Sequence, residues 1–444
     1  MVKGSSFGEG TEKVRSLPFS VAQERGSHVL KFIRITVSVL ACSFVAFLLL
    51  YPLLIEHSIQ YEHPDQGETR FYFPETYEAA KEHFLEFENV LRSDYGRVEH
   101  SALRITEDER LTIDTFIVEA EKAERTLMIT TGVHGIEGYV GLGMLDVFFA
   151  KVYPDLDKET TNLILVHAVN PWGMEEYRRF NENNVDLNRN FIDDRDRFDY
   201  EFNEAYVEVN GLLEKDRPLR QLAIEDTGFM LSAISHVIAS GADTIKDALV
   251  TGQFTHPNGV YYGGLEDEVS TAFMKELMKE GLETGVAQLV YIDLHTGYGP
   301  RDQMSIFNTG QDGMSEQEAM EAFNYPLVFA YDSDGFYGIV GGITEYLYGL
   351  KDELGAETDV FATTFEFGTL GEGTVGSLRS LKYTIDENQL TQQGAENFRT
   401  ERVTRHRYME MFYPSEAKWR EKAADDFVEA SFGVLGHFGF FNHQ

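Results

Sequence analysis

Short apolar runs that alternate with helical segments constrain the fold of this chain more than any other feature. The runs that read as buried strands are residues 125–131, 163–169, 288–294 and 360–367. The segments with helical spacing are residues 139–152, 201–250 and 269–284. Such alternation is typical of an α/β fold, because each parallel strand needs a crossover helix. The sequence therefore predicts a mixed, largely parallel central sheet flanked by helices.

Length, charge and cysteine content exclude several classes of protein. The chain has 444 residues, which is enough for a large hydrophobic core. Its single cysteine excludes an intrachain disulfide framework and any metal site built from several thiolates. The net charge of −36 would repel a phosphate backbone, so we expect no nucleic acid partner.

An uncharged run near the N-terminus has the length of a membrane span. Residues 35–55 contain no charged side chain, and a helix of this length would rise roughly 30 Å. Residues 1–34 before it carry a net charge of +3, and acidic residues follow it. By the positive-inside rule, the N-terminus would then be cytoplasmic and the main body would lie on the periplasmic or extracytoplasmic side.

These features predict four parts: a cytoplasmic tail at 1–34, a single transmembrane anchor at 35–55, a linker at 56–70 and the main folded domain at 71–444. A cleaved signal peptide is the weaker alternative, because its apolar core is usually shorter. A lipoprotein signal is a further alternative, since residues 39–42 loosely resemble a lipobox, but hydrophobicity continues past Cys42. In an anchor, Cys42 would be a small apolar residue in lipid.

Two histidines and one glutamate suggest a metal site at the end of two strands. His134 and Glu137 lie three residues apart in a glycine-rich turn after the first strand, and His295 follows residues 288–294. Open α/β sheets hold their sites at the carboxyl ends of the strands. Two His and one Glu form the ligand set of an open catalytic zinc site, which leaves one position for water.

Two further segments carry candidate polar groups. Arg178 and Arg179, with Asn181, form a loop whose guanidinium groups suit a carboxylate or oxyanion, although a solvated charged loop explains it equally well. Glu366 lies inside an apolar strand, where a carboxylate is costly unless it is paired or functional. Near a cation, such a carboxylate can act as a general base.

The ordered motifs H-x-x-E, N-P-x-G, R-x-N, D-x-N-R-N, a distant His and T-F-E resemble the zinc carboxypeptidase family. The H-G-x-E-G turn and the D-L-H-T-G strand end are most similar to a poorly characterised bacterial branch. That branch is related to the succinylglutamate desuccinylase and aspartoacylase group. The resemblance covers roughly residues 71–413 and implies a zinc carboxypeptidase-like fold.

The resemblance implies a centre with one Zn²⁺ ion. His134, Glu137 and His295 would bind the ion. Asp186 would orient His134 from behind, and Glu366 would be the general base and later the proton donor.

The resemblance also implies residues that hold the substrate. Arg179 would stabilise the oxyanion, although the adjacent Arg178 leaves the register open by one residue. Asn188 and Arg189 would bind the terminal carboxylate. Tyr337 aligns with a mobile tyrosine of the family, and a purely structural role for it remains open.

The expected activity is that of a membrane-anchored metallopeptidase that removes the C-terminal residue of short peptides. An N-acyl-amino-acid deacylase is the alternative, because the D-L-N-R sequence at 186–189 is common to both groups. A non-catalytic binding module is the third reading. The long segment 192–288 is expected to cap or narrow the site, and the specificity position is expected near Thr344 or Glu345.

Overall fold

An eight-stranded mixed sheet organises the computed structural model. The structure describes residues 69–330 and 339–442, together with scattered helical positions between residues 31 and 46. The chain divides into two compact units, Met1–Gln60 and Tyr61–Gln444. Most of the predicted tail, anchor and linker lies outside the described residues, and so does Tyr337.

The central strands of the sheet are parallel, and the outer strands include antiparallel pairs. The strands are β1 (Arg97–Arg104), β2 (Thr112–Glu119), β3 (Arg125–Thr131), β4 (Thr161–His167), β5 (Gln288–Gly297), β6 (Met304–Asn308), β7 (Val328–Ala330) and β8 (Asp359–Gly368). Their order is β1-β2-β4-β3-β5-β8-β6-β7, in which β4, β3, β5 and β8 are mutually parallel. This confirms the predicted mixed sheet with a parallel centre.

Helices cover both the apolar strands and the ends of the sheet. They are α1 (Tyr77–Asp94), α2 (Gly138–Val147), α3 (Pro171–Glu175), α4 (Glu204–Leu213), α5 (Leu222–Ser240), α6 (Ala242–Val250), α7 (Val269–Glu283), α8 (Glu316–Phe323), α9 (Ile343–Leu354), α10 (Thr374–Gln393), α11 (Phe398–Phe412) and α12 (Ala417–His437). The main core contains the fully buried rings of Phe84, Phe116, Phe148, Tyr291 and Trp419. Strands buried on both faces read as continuous apolar runs, which explains why the central four were recognisable.

The helical segment predicted at 201–250 is three helices. Pro218 lies between α4 and α5, and Gly241 ends α5 with a φ of 92°, a conformation that favours glycine. We call residues 203–263, which contain α4, α5 and α6, the cap. The cap has its own apolar cluster, which also includes Leu381 and Ile385 of α10. Phe180 belongs to the same cluster and lies in the loop of residues 177–191, which contains Arg178 and Arg179 and is called the arginine loop below.

Within the described residues, one helix is long and apolar enough to cross a membrane by length and composition alone. This helix is α5, and it belongs to the cap. Its apolar side chains include the exposed Leu231 and Ile238. Such a single helix is weak evidence for a span.

The buried amide of Asn190 joins the arginine loop to the chain that follows the cap. Its Nδ2 donates to the carbonyl oxygens of Gly263 (2.6 Å) and Glu266 (2.9 Å), and its Oδ1 accepts from the backbone N–H of Glu268 (2.9 Å). Asn190 is fully buried, so water cannot replace these bonds. The side chain of Asn190 therefore helps to fasten the end of the cap to the arginine loop.

Asn190→Ala is expected to lower the free energy of unfolding by about 3 kcal/mol, since it leaves buried backbone groups unpaired. Urea denaturation with a tryptophan fluorescence readout would measure this loss. Asn183→Ala is the matched control: Asn183 is exposed and bonds to Glu268 Oε2 at 2.7 Å, so its loss should stay within about 0.5 kcal/mol. Equal losses of unfolding free energy for the two variants would contradict the structural role of Asn190.

Candidate active site

Three potential metal ligands converge at the carboxyl ends of two neighbouring strands. His134 and Glu137 follow β3, and His295 lies within β5, which pairs with β3 in parallel. His134 Nδ1 lies 2.9 Å from Glu137 Oε1 and 3.0 Å from His295 Nδ1. His295 Nδ1 lies 3.0 Å from Glu137 Oε2. All three side chains are buried, and their ligand atoms fit a single metal ion.

The opposite ring nitrogens fix the tautomers of both histidines. His134 Nε2 lies 3.1 Å from Asp186 Oδ1, and His295 Nε2 lies 2.5 Å from Asp293 Oδ2. Because a carboxylate accepts hydrogen bonds, each Nε2 carries a proton and each Nδ1 directs its lone pair into the cluster. Two lone pairs and the carboxylate of Glu137 then meet at one point, which requires a positive charge between them.

The electrostatics of the cluster agree with this requirement. Burial by itself would lower the pKa of His295, but the carboxylates of Asp293 and Glu137 hold it well above its ordinary value. Burial would likewise raise the pKa of Glu137, but His134 and His295 lower it. The carboxylates around His295 therefore favour a positive charge at this point, which a bound metal ion would supply.

Glycine residues allow the metal-binding turn to pack against its neighbour. A Cβ atom on Gly135 would lie 2.1 Å from the backbone carbon of Gly173, so only glycine fits there. The backbone N–H of Ile136 donates to the carbonyl oxygen of Arg178 at 2.8 Å. The turn that carries His134 and Glu137 is thus fixed directly on the arginine loop.

Sequence analysis missed Asp293 as the partner of His295. Asp293 is fully buried, and its Oδ1 accepts from Thr130 Oγ1 at 2.6 Å, which in turn contacts the hydroxyl of Tyr291 at 2.8 Å. Asp293 and His295 are two residues apart on β5, so their side chains emerge on the same face of the sheet. That spacing was the available signal.

The structure places Arg179, and not Arg178, beside the metal ligands. Arg179 Nε donates to Asp186 Oδ2 at 2.9 Å, and its Nη1 lies 3.6 Å from Glu137 Oε1. Arg178 points away and donates to Glu387 Oε1 at 2.8 Å. Although burial opposes its charge, Asp186 and Glu137 raise the pKa of Arg179, so its guanidinium stays charged.

Asn188 and Arg189 lie on the wall of the cavity that His134 and His295 also line. Arg189 Nη1 donates to the carbonyl of Asn188 at 2.7 Å, and its Nη2 donates to the carbonyl of Val250 at 3.0 Å. Its buried Nε has no hydrogen-bond partner among the described residues. Asn188 Oδ1 accepts from the backbone N–H of Ile343 at 3.0 Å. A buried guanidinium with an unpaired N–H can donate that hydrogen to an anionic oxygen of a ligand.

Glu366 faces the cluster from the adjacent strand. It pairs in register with His295 between β5 and β8, and its Oε1 accepts from the backbone N–H of Tyr298 at 2.9 Å. The side chain is partly open to the cavity. Burial, together with the charge of Glu137, raises the pKa of Glu366 to about 8. A carboxylate with a raised pKa beside a cation site is suited to accept a proton from water.

One cavity of about 230 Å³ is lined by six of these side chains: His134, His295, Arg179, Asn188, Arg189 and Glu366. The cap contributes Leu249, Val250 and Tyr261 to its wall, which agrees with the expectation that the long segment narrows the site. The described residues of the wall do not include Thr344 or Glu345, where the specificity position was expected. Thr344 is instead buried in the first turn of α9 and donates to Glu345 Oε2 at 3.0 Å.

A family model matches most of the chain. Residues 73–426 match the family described as "Protein of unknown function (DUF2817)". No curated protein matches the chain.

Several solved structures share a partial likeness with the chain. Bovine thrombin-activatable fibrinolysis inhibitor, in complex with tick carboxypeptidase inhibitor, has 14% identity and a TM-score of 0.36, over 70% of this chain and 95% of that one. Succinylglutamate desuccinylase from Chromobacterium violaceum has 12% identity and a TM-score of 0.32, over 70% and 76%. A metallo-carboxypeptidase from Pseudomonas aeruginosa has 15% identity and a TM-score of 0.34, over 70% and 68%. Likeness at this level does not establish an activity for this chain.

Asp293→Ala is expected to weaken Zn²⁺ binding about 10- to 100-fold, because His295 loses the carboxylate that orients it. Competition with a chromophoric zinc chelator would measure the affinity. Asp359→Ala, at the exposed start of β8, is the control and should bind Zn²⁺ like the unmodified chain. Full affinity of Asp293→Ala would contradict the role of Asp293 in orienting His295 for metal binding.

Proposed function

This chain belongs to the DUF2817 family, and we propose that it is a zinc-dependent hydrolase of the carboxypeptidase type, which removes the C-terminal residue of short peptides. The observation that carries this proposal is the buried cluster of two histidines and one glutamate facing Glu366 across a cavity. Two His and one Glu are the donor set of catalytic zinc sites that keep one position open. A structural zinc site would instead be closed by a fourth protein ligand.

The residues around the cluster fit the steps of amide hydrolysis. When bound, a zinc ion supplies a Lewis acid that makes water nucleophilic near neutral pH. Since Glu366 Oε1 already accepts the N–H of Tyr298, Oε2 is the oxygen that takes the proton from the attacking water. The same carboxyl group then returns that proton to the leaving amine.

The arginines provide the positive charge that the reaction needs at two places. Arg179 is close to the metal ligands and charged, so it stabilises the negative charge that develops on the carbonyl oxygen of the substrate. Arg189 and Asn188 bind the terminal carboxylate of the substrate. The Nε of Arg189 supports this role, since it has no hydrogen-bond partner in the part of the chain that the structure describes. Fixing the chain end near the metal makes the cleavage an exo-cleavage. Tyr337 is proposed as an additional contact to the substrate.

Glu366→Gln is expected to lower kcat on a dipeptide about 10²- to 10⁴-fold while Zn²⁺ content stays unchanged, because the amide cannot accept the proton. Elemental analysis and steady-state kinetics of the full chain would measure both quantities. Glu372→Gln, an exposed residue of the following loop, is the control and should keep full activity.

The substrate class is tested by assaying dipeptides beside N-acyl-amino acids. The carboxylate of an N-acyl-amino acid would also reach Arg189, so the same residues could serve a deacylase. Turnover of N-acyl-amino acids alone would overturn the peptidase assignment and retain the hydrolase. A zinc-loaded chain that turns over neither class would refute the hydrolase proposal.

We further propose that residues 35–55 anchor the chain in a membrane, with the catalytic domain on the extracytoplasmic side. The length of the uncharged run and the basic residues before it support this placement. The single cysteine, Cys42, provides a probe. We expect the chain to stay in carbonate-washed membranes and Cys42 to react with a membrane-impermeant maleimide only after detergent denaturation. Release by carbonate, or ready labelling of Cys42, would contradict the anchor.

A further inference from the structure

Tyr261 of the cap lines the cavity and has an unusual backbone conformation. Its φ is 58°, in the left-handed region that side chains with a Cβ rarely adopt. This conformation is strained for a residue with a Cβ atom, so surrounding contacts must enforce it. Backbone outliers of this kind cluster at functional sites, and Tyr261 lines the cavity.

The loop that carries Tyr261 is held by the backbone of its own cap and by the arginine loop. The N–H of Gln253 donates to the carbonyl of Tyr261 at 3.0 Å, and the N–H of Gly263 donates to the carbonyl of Gln253 at 2.8 Å. The N–H of Asp186 donates to the carbonyl of Tyr262 at 2.7 Å. The cap is therefore bonded directly to the residue that orients His134.

The ring of Tyr261 covers the guanidinium group of Arg179. The Cζ atom of Arg179 lies 5.6 Å from the ring centroid, which is within the range of a cation–π contact. Asp186 holds the Nε atom of the same arginine at 2.9 Å, and Glu137 lies 3.6 Å from its Nη1. Arg179 is thus fixed by a ring on one side and by two carboxylates on its edge.

We propose that Tyr261 is a positioning residue, whose ring holds the guanidinium group of Arg179 at the place where the oxyanion of the substrate forms. The inference rests on the proposed function, because it assigns Arg179 its role in the reaction. The aromatic ring carries this role, and the hydroxyl group is not required for it. The cap is then part of the catalytic apparatus and not merely a wall that limits access.

Kinetics of Tyr261 variants of the zinc-loaded full chain test the proposal. Tyr261→Leu is expected to lower kcat on the best substrate about tenfold with little change in KM, as loss of a partly desolvated cation–π contact implies. Tyr261→Phe should have the kcat of the unmodified chain, since it keeps the aromatic ring. Tyr261→Asn removes the ring but suits the left-handed backbone, so a low kcat in this variant cannot come from strain.

Tyr206→Leu is the control for a purely structural role. Tyr206 is fully buried in the apolar cluster of the cap and does not line the cavity. The Tyr206→Leu substitution should lower the Tm while leaving the kcat of the folded protein unchanged. Equal effects of Tyr206→Leu and Tyr261→Leu on kcat would overturn the proposal.

A double-mutant cycle with Arg179→Gln shows whether Tyr261 acts through the arginine. Arg179→Gln alone is expected to lower kcat about 100-fold, and adding Tyr261→Leu should lower it no further. Independent, multiplying effects would overturn the proposal, as would full activity of Tyr261→Leu. A zinc-loaded, unmodified chain without turnover would instead refute the proposed function, and the positioning role with it.

Discussion

The convergence of two imidazole lone pairs and one carboxylate at a buried point is the constraint on which the site depends. Without a positive charge, His134, Glu137 and His295 would repel one another at distances near 3 Å. The parallel pairing of β3 and β5 brings them together, because it aligns the carboxyl ends of both strands. A buried cluster of this composition costs stability unless it is compensated, so its presence indicates a cation-binding site.

Asp186 couples the metal ligands to the proposed oxyanion group. One of its oxygens faces His134 and the other accepts from Arg179, so both side chains are oriented by a single carboxylate. Burial would raise the pKa of Asp186, but Arg179 and His134 hold it well below its ordinary value. Because Asp186 therefore stays ionised, its two partners keep fixed positions. Asp293 orients His295, so each of the two histidines has a carboxylate of its own.

Much of the fold and the ligand set could be predicted from sequence, because those signals are local. Strands buried on both faces are continuous apolar runs, and functional groups follow their ends. The edge strands, such as β1 and β7, were not predicted, since they are short or partly exposed. Asp293 could have been found from its spacing to His295. Tyr261 could not, because its contact with Arg179 joins segments more than 80 positions apart through the cap.

Arg178 and Arg179 are adjacent in the arginine loop, but their side chains contact different parts of the molecule. Arg179 faces the cavity, while Arg178 is buried and bonded to Glu387 of α10. On α10, Lys382 contacts Asp386 and lies 3.4 Å from Asp226 of the cap helix α5. Breaking one partner of a buried ion pair is costly because the remaining charge is left uncompensated. The cap is therefore attached to the arginine loop by charge as well as by apolar packing. A cap attached in this way can hold an aromatic ring against Arg179 at a fixed distance, which a loosely packed insertion could not do.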